Sequence, residues 1–394
     1  MSNRSSAVQL SATLAIDALS KSMKAQGIDV VGFGAGEPDF ATPDYIKQAA
    51  FQAINENKTK YTPASGIPEL KQAACYRMKE DCGLDYVPAN VLVASGAKHN
   101  VYLALQAIMN PGDEALLPAP YWVSYAEMVR LATGTPVVIR TTEAEGFKLT
   151  AEALEAAITP KSKCLILNSP CNPTGMMYSE DELRAIAQVC VKNDLYVIAD
   201  EIYYTLVYDN RKFVSFASLG EEIKKRTILI NGVSKAYAMT GWRVGYALAN
   251  EEITGIMSRY VSHSTGAPST ISQWAAVAAL TGPQDSRETM RQAFEERRNY
   301  MVERMNAIPG VSCSKPQGAF YIMMNLKELL GRTMYGEVVA DSGVFAKLLL
   351  EKGLVAVVPG AAFDAPEYVR WSYATSMENI TRGMDRLEEF LRNA

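Results

Sequence analysis

The stretch Ser234-Lys235-Ala236-Tyr237-Ala238-Met239-Thr240-Gly241-Trp242-Arg243 carries the most chemistry in this chain. It follows an apolar run, Thr227 to Ile230, that reads as a buried strand. One lysine is thereby placed in a loop just beyond a strand end. A lysine there can form a Schiff base with an aldehyde cofactor, provided its surroundings keep the amine unprotonated. Arg243, eight residues on, is a second cation that could hold a cofactor phosphate. The competing reading is an ordinary surface lysine beside a packed Trp242, and the loop alone does not discard it.

Four more strand-end segments carry chemistry of the same kind. Ser95-Gly96-Ala97-Lys98 follows the run Val91–Ala94 and opens a helix. Backbone N–H groups at a helix start attract phosphate, and glycine permits close approach; a plain strand-to-helix turn would look the same. Pro120-Tyr121-Trp122 follows Ala115–Leu117, where an aromatic ring can stack on a planar ligand, although a buried core Trp is commoner. Asn168-Ser169-Pro170-Cys171-Asn172-Pro173-Thr174-Gly175 follows Cys164–Leu167 and forms a stiff turn that could aim the Asn172 amide inward or be structural only. Asp200-Glu201-Ile202-Tyr203 follows Leu195–Ala199. A carboxylate there can pair with a protonated pyridine nitrogen, or merely cap the next helix. Arg370, in Val369-Arg370-Trp371-Ser372, lies in an apolar strand and needs a partner: a substrate carboxylate held bidentately, or a structural salt bridge.

The elements that must position these groups alternate. Strand-like runs at Val91–Ala94, Ala115–Leu117, Val137–Ile139, Cys164–Leu167, Leu195–Ala199, Thr227–Ile230 and Val244–Leu248 are separated by amphipathic stretches such as Lys98–Met109, Tyr121–Leu131, Thr150–Ala157 and Glu180–Lys192. Fully apolar strands alternating with helices predict an α/β unit with a mostly parallel sheet covered by helices on both faces. Ligands bind such sheets beyond the strands' carboxyl ends. The last hundred residues read as a smaller α+β domain: a long charged helix near Arg287–Met305, then Ala319–Met324, a helix Gly343–Lys352, Val355–Val358, Tyr368–Ser372 and a helix from about Met377. The expected division is 46–289 for the large unit, with 1–45 and 290–394 forming the smaller one.

In their order and over nearly the whole chain, these motifs resemble the class I aminotransferases, fold-type I enzymes that use pyridoxal 5′-phosphate (PLP). The resemblance implies PLP bound covalently to Lys235, which also moves the proton between the substrate Cα and the cofactor. It implies Asp200 on the pyridine nitrogen, Asn172 and Tyr203 on the phenolic oxygen, and Trp122 stacked on the ring. Gly96, Ala97, Lys98, Ser234 and Arg243 would hold the phosphate. Tyr61, in Lys60-Tyr61-Thr62-Pro63, matches a tyrosine that reaches the phosphate of the neighbouring subunit, so a homodimer with shared sites is expected. Arg370 and Gly34 would hold the substrate α-carboxylate. His99 stands where the family has Gln, and no chemistry is expected of it.

Ser11-Ala12-Thr13, Gly36-Glu37-Pro38-Asp39-Phe40, Gly66-Ile67-Pro68-Glu69-Leu70, Tyr121-Trp122-Val123-Ser124-Tyr125, Ala238-Met239-Thr240-Gly241-Trp242-Arg243 and Tyr373-Ala374-Thr375-Ser376 are similar to the bacterial-type (Ib) aspartate aminotransferases. There the lysine matching Lys98 and the hydroxyls near Ser11 and Thr13 approach a distal carboxylate, which selects dicarboxylic substrates. The implied reaction is L-aspartate plus 2-oxoglutarate to oxaloacetate plus L-glutamate, by a ping-pong route through pyridoxamine phosphate. Alanine, aromatic, kynurenine and prephenate-accepting aminotransferases, and PLP-dependent lyases, share the core machinery. Gln9 stands where prephenate-accepting members tend to be basic, which argues against that branch.

Composition narrows the remaining classes. The 394 residues are 48% hydrophobic and 21% charged, with a net charge of −4, so nucleic acid is not an expected partner. Regulators with an aminotransferase-like domain add a DNA-binding module, which residues 1–30 are too short and too weakly basic to supply. The six cysteines include no C-x-x-C pair and there are two histidines, so neither a disulfide framework nor a metal site is expected. No signal-peptide core and no apolar run of about 20 residues is evident, and a cytoplasmic enzyme without membrane contact is expected.

Overall fold

The computed structural model describes residues 12–394, with the side chains at 12–15 and 17 outside that description. Seven strands make the main sheet: β1 (Val91–Ala94), β2 (Glu114–Ala119), β3 (Thr135–Arg140), β4 (Ser162–Asn168), β5 (Tyr196–Asp200), β6 (Thr227–Gly232) and β7 (Gly245–Leu248). Their order is β1-β7-β6-β5-β4-β2-β3. Only β7 runs antiparallel to its neighbours; the other pairs are parallel. The inner strands are apolar through their middles because successive side chains point to opposite faces and both faces are covered. Val91, Val93, Leu165, Leu167, Val197 and Leu229 enter one core. Leu92, Ala94, Cys164, Ile166, Ile198 and Ile228 enter the other. Helices Asp44–Asn55, Pro68–Cys82, Glu180–Lys192 and Thr270–Thr281 close the first face. Ala97–Ile108, Ser124–Leu131 and Glu251–Ser264 close the second.

A second sheet is antiparallel: β8 (Ser312–Cys313), β9 (Tyr321–Asn325), β10 (Val358–Pro359) and β11 (Tyr368–Ser372), in the order β10-β11-β9-β8. The helices Asp285–Asn306, Ser342–Gly353 and Met377–Arg392 pack on it around Phe294, Phe345, Trp371 and Phe390. Ile202, Tyr203, Leu206 and Tyr208, which follow β5, insert into this same core. The two sheets are thus joined directly behind the carboxyl end of β5.

Two expected elements are corrected. The single strand Val355–Val358 is two: Val355–Ala356 pairs in parallel with Val31–Gly32, and β10 pairs with β11. The chain changes partner at the buried Val357, which leaves its apolar run unbroken. The helix expected over Tyr121–Leu131 begins only at Ser124; before it, the Tyr121 N–H donates to the Phe363 carbonyl at 3.3 Å. The parallel pairing at Val31–Gly32 also fixes the segment Gly34–Glu37. Phe33 N donates to Ala356 O, and Ser372 N donates to Phe33 O.

Candidate active site

The carboxyl ends of the parallel strands open into a cleft of about 400 Å³. Gly34, Ala97, Lys98, Trp122, Asn172, Asp200, Tyr203, Ser234, Lys235, Arg243 and Arg370 all line it. Segments separated by up to 336 residues in sequence are therefore brought together, as Gly34 and Arg370 are. Gly96 stands just behind, with φ +88°, where a Cβ would lie 2.4 Å from Arg243 Nη2. Only glycine lets the guanidinium approach the start of the Ala97–Ile108 helix, whose first N–H groups have no intrahelical acceptor. Arg243 is held there by its own donors, Nη1 to Thr240 O at 2.8 Å and Nη2 to Ser95 O at 3.1 Å. A helix start, Ser234 and this guanidinium together suit a phosphate.

Lys235 donates from Nζ to the Gly36 carbonyl. Burial pushes its ammonium down to about 8, against the opposing pull of Glu37 and Asp200. At pH 7 about a tenth of the amine is then neutral, far more than for an ordinary lysine, and the share grows as pH rises toward 8. Glu37 itself accepts from Thr240 Oγ1 at 2.6 Å, so the segment carrying Gly36 is tied to the lysine loop.

Asp200 is 4% exposed. Its Oδ2 accepts from the Tyr125 hydroxyl at 2.7 Å and its Oδ1 from Ile202 N at 3.3 Å. Burial raises its carboxyl above the usual range, more than these donors and the Lys235 charge bring it back. No guanidinium or ammonium of the described residues is bonded to it. A protonated ring nitrogen would supply the missing cation. Next to it, Asn168 Nδ2 donates to Asp200 O at 2.8 Å, and Asn168 Oδ1 accepts from Asn172 N at 2.7 Å. Asn172 Oδ1 then accepts from Arg370 Nη1 at 3.0 Å.

Arg370 is 2% exposed. Its Nη2 donates to Gly34 O at 2.9 Å, and its Nε is buried without a partner. The rings of Tyr321 and Phe363 flank it, with centroids 4.5 and 4.9 Å from Cζ. A guanidinium at such depth with neutral partners only is a costly arrangement that a carboxylate ligand would relieve. Lys98 reaches over the Trp122 ring, with Nζ 4.9 Å from its centroid. Burial, and then the charge of Arg243, lower its pKa.

These features fit PLP: a lysine amine of lowered pKa, a buried carboxylate lacking a cation, a phosphate-sized cup and an aromatic face surround one cleft. Other expected residues stand apart. Tyr61 is fully exposed and does not line the cleft. Thr13 lies in the helix Ala12–Ala25, but its side chain, like the whole of Ser11, lies outside the described residues. His99 is half-buried, does not line the cleft and packs against Tyr102, ring centroids 6.2 Å apart. Tyr125, Tyr321, Asn168, Gly36 and Glu37 belong to the site without having been assigned a role from sequence. Tyr125 closes the motif Tyr121-Trp122-Val123-Ser124-Tyr125, which places it beside Trp122 in sequence. Tyr321 gives no local signal.

A family model described as "Aminotransferase class I and II" matches residues 28–387. The aspartate aminotransferase of Bacillus sp. (strain YM-2) is 48% identical over 392 residues, covering 100% of this chain and 99% of that protein. The crystal structure of the aspartate aminotransferase from Rhizobium meliloti superposes with a TM-score of 0.96 at 42% identity, covering 100% of this chain and 99% of that one. The aspartate aminotransferase from Thermus thermophilus with maleate gives a TM-score of 0.94 at 40% identity, with 99% of each chain covered.

Proposed function

Because this chain belongs to the class I and II aminotransferases, whose chemistry depends on PLP, we propose that it exchanges the amino group between L-aspartate and 2-oxoglutarate, yielding oxaloacetate and L-glutamate. The observation that carries the choice of substrate is that Arg370 and Lys98 line one cleft with Lys235, in a chain nearly half identical to aspartate aminotransferases along its full length. Two carboxylates on one substrate match two cations beside the amine that reacts.

When bound, PLP supplies an aldehyde that condenses with amines and a ring that accepts the electron pair left on the substrate Cα. The side chains do the rest. Lys235 would hold the cofactor covalently and, once released, its amine would take the proton from the substrate Cα and deliver it to the cofactor. Asp200, fixed by Tyr125, would pair with the ring nitrogen and keep it protonated. Tyr203 and Asn172 would bond the phenolic oxygen, and Trp122 would cover the ring face. The N–H groups of Ala97 and Lys98, with Ser234 and Arg243, would hold the phosphate, and Gly96, whose own N–H donates to Ala94 O at 2.7 Å, would leave room for it to approach. Arg370 takes the α-carboxylate with Gly34 beside it, and Lys98 with Thr13 takes the distal carboxylate. Tyr61 of the partner subunit in a homodimer completes the phosphate site. In the same reading 46–289 is the large unit, 1–45 and 290–394 form the small one that closes over substrate, and the enzyme works in the cytoplasm. Among the described residues, no helix is long and apolar enough to cross a membrane.

A single-donor panel on PLP-loaded enzyme tests this, read as the change in absorbance of the bound cofactor. Aspartate and glutamate are expected to react fast, and alanine, phenylalanine and kynurenine slowly. Lys98→Ala is expected to lower kcat/KM for aspartate about tenfold while leaving alanine nearly unchanged, as loss of one charge pair does. A neutral donor that reacts fastest, or an aspartate preference intact in Lys98→Ala, would overturn the dicarboxylate reading.

A further inference from the structure

Tyr203 and Tyr321 meet hydroxyl to hydroxyl at 2.9 Å. Their rings are edge-to-face, with centroids 5.8 Å apart and an interplanar angle of 85°. Tyr321 is 0% exposed and Tyr203 only 4%. Burial raises both phenols, so both are neutral in the working range. Each has one proton, and only one of the two protons can lie on the shared bond.

The strand pairing explains what else Tyr321 touches. Tyr321 is opposite Ser372 and Met323 is opposite Arg370, so Tyr321 and Arg370 are diagonal neighbours on one face of the small sheet. The guanidinium carbon lies 4.5 Å from the Tyr321 ring centroid, a cation–π distance in a desolvated place. The same side chain lines the cleft. It therefore contacts both the residue assigned to the cofactor's phenolic oxygen and the residue assigned to the substrate carboxylate.

We propose that Tyr321 is a positioning residue for the transamination: its hydroxyl donates to the Tyr203 oxygen and so directs the Tyr203 proton into the cleft, while its ring face supports Arg370. This rests on the reading above that Tyr203 donates to the phenolic oxygen of PLP. If Tyr203 gives its one proton to that oxygen, the 2.9 Å contact can be made only with the proton of Tyr321. A hydroxyl that accepts a hydrogen bond is also a better donor, so Tyr321 strengthens the bond Tyr203 makes. The opposite polarity, Tyr203 donating to Tyr321, would withhold the Tyr203 proton from the cleft and leave Tyr321 a core residue.

The test compares Tyr203→Phe, Tyr321→Phe and the double variant as PLP-loaded enzymes, by the pH midpoint of the visible absorbance change of the bound cofactor. A donor on the phenolic oxygen stabilises its anion, so removing that donor moves the midpoint upward. Tyr203→Phe is expected to raise it. Tyr321→Phe is expected to raise it by roughly half a unit to one unit, the worth of one neutral hydrogen bond. The double variant is expected to match Tyr203→Phe. Tyr321→Phe retains the ring and so should hold KM for aspartate within about twofold, while Tyr321→Leu, which removes the ring, should raise it about tenfold. An unmoved midpoint in Tyr203→Phe would sink the underlying assignment of Tyr203. A raised midpoint there, with no rise in Tyr321→Phe, would overturn the role of Tyr321 alone.

Discussion

Two adjacent carboxylates, Asp200 and Glu201, show how little residue type alone decides. Asp200 is turned to the cleft. Glu201 is turned into the protein, where its Oε1 accepts from Ser215 Oγ at 3.0 Å and from Phe216 N at 2.8 Å. Its Oε2 is buried without a partner. Burial, with the nearby Asp200 charge adding to it, pushes the Glu201 carboxyl up to about 8, so it is largely protonated at pH 7. The folded value stands above the unfolded one of about 4.3, so folding takes up a proton between these limits. The stability Glu201 contributes is complete below about pH 4 and is lost as pH rises toward 8. Glu201→Gln cannot titrate, and its amide oxygen can still accept from Ser215 and Phe216. Urea unfolding at a series of pH values should therefore show a flatter profile in the variant, its loss between pH 5 and pH 8 smaller by on the order of a few kcal/mol. Equal slopes in the two proteins would mean that Glu201 is ionised in the fold.

At the scale of elements, the helix Glu180–Lys192 is fixed by its first turn. Ser179 Oγ accepts from Glu182 N at 3.4 Å, and Ser179 N donates to Glu182 Oε2 at 2.7 Å, a reciprocal capping box. Ser179→Ala should lower stability by about 1 kcal/mol in thermal or urea unfolding. KM for aspartate should stay unchanged, because neither Ser179 nor Glu182 lines the cleft. This helix was legible in sequence at its true bounds because cap, acidic first turn and apolar stripe all agree. Pro68–Cys82 was not, because its buried side includes Arg77, whose Nε donates to Leu280 O at 2.9 Å and whose charge meets Asp81. A buried arginine blurs the stripe that marks a helix. The same contrast holds in the site. Lys235, Asn172 and Gly96 stand in or beside strand-end turns marked by Gly, Pro or Asn, and Asp200 closes an apolar strand whose last position its charge marks. Tyr125 and Tyr321 act through partners 75 and 118 residues away, which no local spacing records.

For the molecule as a whole, the informative residue is one that the single chain leaves outside its own cleft. Tyr61 is fully exposed, yet the backbone on either side of it is firmly held. Thr270 Oγ1 donates to Lys60 O at 2.8 Å, Gln273 Nε2 donates to Thr62 Oγ1 at 3.1 Å, and Ile67 N donates to Gln273 Oε1 at 2.8 Å. Val93 N, in the edge strand β1 next to the phosphate-sized cup, donates to Ser65 O at 3.0 Å. An aromatic presented to solvent on a stiff loop loses conformational entropy and buries nothing within its own chain, which suits a residue destined for an interface. The proposed homodimer gives it a use: its hydroxyl completes the phosphate site of the other subunit. Mixed dimers, purified through two different tags, decide the matter. One subunit carries Tyr61→Ala and the other Lys235→Ala. If Tyr61 serves across the interface, one site in each mixed dimer combines an intact Lys235 with an intact Tyr61, so PLP affinity and aspartate turnover should rise well above those of either parent dimer. If Tyr61 serves its own subunit, every site in the mixture lacks one of the two residues, and mixing should restore nothing.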